Sequence, residues 1–182
     1  MKLKTPRINP VHEDDWNETQ RSALGRQIIR GKVANIFRTF ANHVPLAKRW
    51  MVFANHVLFK STLSPRDREI VILRIGWLCQ AEYEWGQHVI IGKDVGMTDE
   101  EIASVKEGAS ASVWNEHESL LINATDELHT DAFISDETWN GLAKNYSDQQ
   151  MMDLVFAVGQ YNLVSMALNT FGVQLDADIK GF

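Results

Sequence analysis

The sequence predicts an all-α fold, a helical bundle that buries its last helix in an oligomer. Three observations carry this. Apolar residues recur at helical spacing along most of the 182 residues, with no sustained period-two alternation. Helix-start signals are frequent, and glycines follow the ends of several apolar stretches. The stretch from Asp153 to Phe171 is apolar on nearly all sides and requires burial all round. In a chain of this size a subunit interface helps to cover such a helix. The six tryptophans agree, because Trp is enriched at interface cores.

The pattern places helices at about 14–29, 34–43, 46–59, 65–79, 82–95, 99–107, 114–130, 136–145 and 148–171. Pro45 separates the second from the third, and His43 sits at the C-terminal end of the second, where a histidine suits the dipole. Ser64-Pro65 opens the fourth with a capping serine and a proline at the first helical position. Gly96 ends the fifth. Thr98-Asp99-Glu100-Glu101 opens the sixth as a capping box, and Gly108 ends it. Ser135 opens the eighth and Ser147 the ninth. After Gly172 the tail is either extended over a neighbour or poorly ordered. The pentapeptide Phe-Ala-Asn-His-Val occurs at 40–44 and again at 53–57, an offset that fits no repeat architecture. No linker or low-complexity tract appears, so residues 1–182 read as one domain, with a core at about 35–105 and C-terminal helices at about 114–171.

Composition narrows the function. Eighteen basic and 24 acidic residues give a net charge of −6 with no basic patch, which argues against a nucleic-acid partner. The longest apolar run, Ile70 to Cys79, is interrupted by Arg74 and too short to span a bilayer, so no membrane partner is expected. The polar, basic start carries no secretory pattern, and the expected location is cytoplasmic. A single cysteine, Cys79, excludes an internal disulfide or dithiol pair.

The chemistry concentrates in Ala81-Glu82-Tyr83-Glu84-Trp85-Gly86-Gln87-His88. Glu84 and His88 are four apart and share one helix face. A carboxylate beside an imidazole tunes it for giving and taking protons. Tyr83 and Trp85 flank the pair as aromatic walls. The alternative is a core histidine satisfied by a local acid. His56, on a helix with apolar neighbours, either lines the same pocket or is hydrogen-bonded in the core. Arg74 either anchors a substrate carboxylate or pairs with an internal acid such as Glu69 or Glu84. No histidine has a glutamate three residues before it, as a di-iron bundle needs, and zinc would lack ligands, so no metal is expected.

Glu69, Tyr83 and His88, at their spacings, resemble the carboxymuconolactone decarboxylase and alkylhydroperoxidase D family. The stretches Asn35 to Leu63, Ser64 to Glu69 and Gly96 to Ile102 resemble it too. The family's peroxidase branch carries a glutamate, eleven residues, then Cys-x-x-Cys-x-x-x-His. Aligned on His88, the two cysteines fall on Ala81 and Glu84, and the glutamate falls on Glu69. Glutamate and histidine are kept and both thiols are absent. Without an attacking and a resolving thiol, the two-cysteine peroxidase cycle cannot run.

The resemblance implies an alkylhydroperoxidase D-like bundle, assembled as a trimer or hexamer. On one unbroken helix Glu69 and His88 would lie about 28 Å apart. Either the helix breaks near Cys79 to Glu82 and folds back, or Glu69 comes from another subunit; the resemblance favours the break. Glu82 to Glu84 would then sit in the first turn of a second helix, whose positive N-terminus would face a substrate carboxylate and partly offset the charge of the two acids. Alternatively, Glu69 only stabilises the helix end near Ser64. The expected function is a cofactor-free lyase or decarboxylase acting on a small cyclic or aromatic carboxylate or lactone. His88, Glu84 and Glu69 would be catalytic, and Tyr83, Trp85, Glu82, His56 and Arg74 would bind substrate. The competing expectations are an alkylhydroperoxidase-like antioxidant protein and a non-catalytic oligomer that binds a small hydrophobic molecule.

Overall fold

The computed structural model describes residues 2–28 and 32–182 and is all-helical. Nine α-helices are present among the described residues: α1 (Glu18–Leu24), α2 (Asn35–Phe40), α3 (Val44–Phe59), α4 (Pro65–Leu78), α5 (Glu82–Asp94), α6 (Asp99–Ser104), α7 (Glu116–Asp131), α8 (Asp136–Leu142) and α9 (Asp148–Phe171). The serine, threonine and proline signals work as expected. Ser64 accepts from the backbone N–H of Asp67, with Pro65 in the first turn of α4. Thr98 with Glu101, and Ser147 with Gln150, close capping boxes on α6 and α9.

The helix expected at 14–29 is broken. A 3-10 turn spans Glu13–Asp15, and α1 begins only at Glu18; residue 29 lies outside the described residues. Two local interactions outcompete a continuous helix. Glu13 uses both oxygens to bind Arg38, at 2.7 Å each, and Asn17 caps α1 in a box with Gln20. His43 ends the 3-10 turn Ala41–His43 that follows α2, as expected, and it also caps the start of α3, its Nδ1 accepting from the Leu46 N–H at 3.3 Å, with Pro45 in the first turn of that helix.

At the centre lies α4, packed against α5, α7 and α9, with all eight residues from Glu69 to Gly76 buried. It divides the core. Val71, Ile72 and Ile75 meet Leu121 of α7 and Leu154 of α9, while Ile70 and Leu73 meet Trp85, Ile102 and Ile122. Burying each such aliphatic side chain contributes about 1.5–3 kcal/mol. Arg74 pins this packing from within. Its Nε and Nη2 donate to the Asp126 carboxylate at 2.6 and 2.7 Å, and Nη1 donates to the Val105 carbonyl at 2.8 Å. The partner is thus neither Glu69 nor Glu84, and four of the five guanidinium N–H groups are committed within the protein.

Cys79, Gln80 and Ala81 reverse the chain between α4 and α5, with Gln80 left-handed at φ 52°. The tail beyond Gly172 is extended over α5. Asp176 there accepts from the Tyr83 hydroxyl at 2.8 Å and the Gln87 side chain at 2.7 Å. A Cβ at Gly86 would run into Ile179 and the Lys180 carbonyl, so glycine permits this close passage. Two apolar stripes stay uncovered. On α9, Met152, Val155, Phe156, Leu163 and Met166 face outward. On α3, Leu46, Val52, Phe53 and Phe59 do the same, Val52 and Phe59 being 74% exposed.

Candidate active site

The break after α4 lays α5 back alongside it, bringing Glu69 to His88 within one chain. Glu69 is fully buried, and its Oε2 lies 2.6 Å from His88 Nδ1. Its Oε1 accepts from Arg68 Nε at 3.0 Å. On the other side of the ring, His88 Nε2 lies 3.0 Å from Glu84 Oε1, the four-residue pair expected on one helix face. Both ring nitrogens therefore face acceptor-only carboxylates. The arrangement suits the doubly protonated imidazolium, which donates at both ends and has no lone pair for a metal.

The electrostatics agree. Burial alone would push the imidazole pKa down. The charge and hydrogen bond of Glu69, followed by those of Glu84, outweigh it and raise the pKa to about 9. Burial works to raise the Glu69 pKa, but His88 and then Arg68 hold the carboxyl below its usual value. Alternating charges from Arg68 through Glu69 and His88 to Glu84 neutralise one another, which allows four ionic groups in a largely dry interior. The Tyr161 ring meets the imidazole edge-on, centroids 4.9 Å apart. Burial first, and then the two carboxylates, drive the Tyr161 phenol pKa well above its ordinary value.

His88 and Glu84 line a cavity of about 270 Å³, at the small end of ligand sites. Its walls are mostly apolar and aromatic, Phe37, Trp50 and Tyr161 among them, and come from α2, α3, α5 and α9. Glu69 is absent from the lining and stands behind His88. Among the described residues no lysine or arginine lines the hollow. The Trp50 indole Nε1–H is shielded from solvent and meets no acceptor among the described residues, which costs about 1–3 kcal/mol when no ligand oxygen meets it.

Of the residues expected at the site, the structure gathers Glu69, Glu84, His88 and Tyr83. It moves the other four elsewhere. Trp85 packs against Trp77 and Phe182 on another face of α5, at ring-centroid distances of 6.0 and 5.7 Å. Glu82 lies against Gly181 of the tail, outside the cavity. His56 is largely exposed, with Nε2 3.7 Å from Asp153, and does not line the hollow. Arg74 is committed to Asp126. Trp50, Tyr161 and Arg68 were not anticipated. The polar run Gln160-Tyr161-Asn162 within the largely apolar α9 was a readable signal; Trp50 carried none. Cys79 lies in a separate hollow beside His129 and Asn162, and burial raises its thiol pKa.

The fold is a helical bundle in which two helices of one hairpin hold a buried Glu–His–Glu array against an apolar hollow. Residues 45–127 match the carboxymuconolactone decarboxylase family, and that stretch carries Ala81 and Glu84 at the two thiol positions. Solved structures share the fold at low identity. An alkylhydroperoxidase AhpD core protein, a peroxidase-related protein of Ralstonia eutropha JMP134, superposes with TM-score 0.82 at 16% identity, covering 94% of this chain and 93% of its own. A protein of unknown function from Agrobacterium tumefaciens gives 0.70 at 21%, covering 76% and 97%. The debrominase Bmp8, as a cysteine-to-alanine variant in complex with 2,3,4-tribromopyrrole, gives 0.77 at 14%, covering 96% and 94%. A search of curated proteins finds no match.

Proposed function

We propose that the protein is a cofactor-free acid–base enzyme of the lyase type, acting on a small uncharged ring compound such as a lactone. The observation that carries this is the Glu69–His88–Glu84 array, with only its Glu84 and His88 end open to an apolar cavity. Glu84 takes the proton next to a substrate carbonyl. The electron pair left on carbon passes into the carbonyl, and either expels a leaving group from the next carbon or recaptures the proton at another position. His88, charged and held from behind by Glu69, stabilises the anionic oxygen and returns the proton. Decarboxylation would use the same parts: carbon dioxide leaves, and the couple protonates the carbon.

The uncharged class is favoured over a free carboxylate because the two charges on the wall, Glu84 and His88, already neutralise each other. No lysine or arginine among the described lining residues offsets a second anion. The unpartnered Trp50 N–H suits a carbonyl oxygen. That a debrominase of this fold holds a small flat ring supports a ring-shaped ligand. A peroxidase reading is weakened by Ala81 and Glu84 standing at the thiol positions, and by Cys79 lying outside the cavity.

The test is a screen of purified protein against small lactones, cyclic ketones and their carboxylated analogues, followed by His88→Gln. Turnover is expected to fall by about 10²–10⁴-fold in the variant. Unchanged turnover removes His88 from the chemistry. Tight binding without turnover of any compound leaves a binding protein, and preference for the carboxylates overturns the substrate class.

A further inference from the structure

We propose that Gln160 gives the His88 cavity a recognition edge that selects a ring containing a secondary amide, a lactam, over a lactone of the same shape. This rests on the reading of the hollow as a site for an uncharged ring, and it adds which polar edge that ring presents.

Gln160 lies on α9, is 4% exposed and lines the cavity. Its neighbours on the same helix face, Ala157 and Val164, are buried and apolar. An apolar residue at 160 would pack there without taking a carboxamide out of water. Gln160 nevertheless makes no side-chain hydrogen bond to any described residue. It also lines the groove between α3 and α9, but at 4% exposure solvent in that groove does not satisfy an amide. A buried amide left unpaired is destabilising and calls for a partner that the chain itself does not supply.

The other neutral polar groups on the wall are accounted for. Gln87 donates to Asp176 at 2.7 Å, and Gln27 donates to Met51 Sδ at 3.8 Å. The Tyr83 hydroxyl donates to Asp176 and accepts from the Ile36 N–H. Asn55 is exposed. Gln160 is therefore the amide still open to a guest.

A carboxamide presents N–H donors and a carbonyl acceptor side by side. A secondary lactam has the matching edge, because its ring holds C=O and N–H on one side. Two parallel hydrogen bonds then join guest and wall. The lactam N–H donates to Gln160 Oε1, and Gln160 Nε2–H donates to the lactam carbonyl. A lactone places an oxygen where the lactam has its N–H. That oxygen faces Gln160 Oε1 with no proton between them and leaves it unpaired. A site whose polar groups await a partner rejects the analogue lacking that partner more strongly than an apolar wall rejects a small change of shape. The rival acceptors on the wall are the Glu84 carboxylate and the Tyr161 hydroxyl. Both remain when Gln160 is replaced, so a preference that they set survives the substitution.

The experiment measures equilibrium binding of 2-quinolone, coumarin and N-methyl-2-quinolone to the full chain by calorimetry. These flat bicycles of similar size are a lactam, a lactone and a lactam with its donor blocked. Wild type is expected to bind 2-quinolone at least about tenfold more tightly than either of the others. In Gln160→Met, which keeps the length of the side chain, the three affinities are expected to converge to within about twofold, with the quinolone weakened. The denaturation midpoint of this variant is expected to hold or rise, because an unpaired buried amide is gone. Equal binding of the three by wild type overturns the proposal, as does a lactam preference that persists in Gln160→Met. Absence of binding by all three at millimolar concentration overturns it too. A Gln160→Met chain that fails to fold also overturns it, since the side chain then has a structural task. The readout is independent of turnover. Lactam preference without conversion of any ring sinks the proposed function alone, and conversion of lactones by a chain that binds the three probes equally sinks this inference alone.

Discussion

Glu69 divides its two oxygens between Arg68 and His88 in a place water does not reach. Replacing it by Gln leaves two cations under-compensated, and the expected loss is about 3–5 kcal/mol of stability, read by chemical denaturation. The same variant should lower the His88 pKa, measured by NMR titration, because burial then meets less opposition. In the wild type, His88 has a folded pKa raised to about 9 from 6.5. Its stabilising contribution is therefore complete below pH 6.5 and lost as pH rises through about 9. Glu69 has a lowered folded pKa, so its contribution is present above the ordinary 4.5 and lost as pH falls through the folded value. Thermal unfolding against pH should show a plateau between these limbs, and the alkaline limb should vanish in His88→Gln. Activity should fall on the same alkaline limb. At this scale Glu84 and His88 were legible from four-residue spacing alone. Glu69 was legible only through the family spacing. Trp85 was misplaced because a neighbour in sequence is turned about 100° around the helix and belongs to another face.

The hairpin of α4 and α5 depends on the turn that the family spacing suggested. Gln80 holds a left-handed backbone there and donates its side-chain amide to the Trp77 carbonyl at 2.8 Å. Gln80→Val should cost about 1–2 kcal/mol in thermal denaturation, since a β-branched residue resists positive φ. The helix starts at Ser64, Thr98, Ser135 and Ser147 were readable because serine and threonine caps are local chemistry. The first helix was misread because Arg38, 25 residues away, draws Glu13 out of it. The repeated pentapeptide teaches the same lesson. At 40–44 it runs from the end of α2 into the start of α3, and at 53–57 it is continuous helix. Identical residues follow their surroundings, and His43 and His56 accordingly share no role.

Across the whole molecule, the bundle class followed from apolar periodicity, but which acid meets Arg74 depends on how α4 crosses α7. Arg74→Met removes that cross-link while keeping an apolar stem. A loss of about 2–4 kcal/mol is expected by denaturation, with the His88 titration unchanged; a weakened substrate affinity would instead restore a binding role. The cavity itself was beyond sequence reading, because its walls come from four helices spread over more than a hundred residues. One latch in that architecture has a practical consequence. Asp176 grips Tyr83 and Gln87, and both of those side chains also border the hollow. The C-terminal arm thus doubles as a built-in gauge of occupancy: a guest that stiffens the two donors should make the arm harder for a protease to clip, so that compounds can be ranked before any product has been identified.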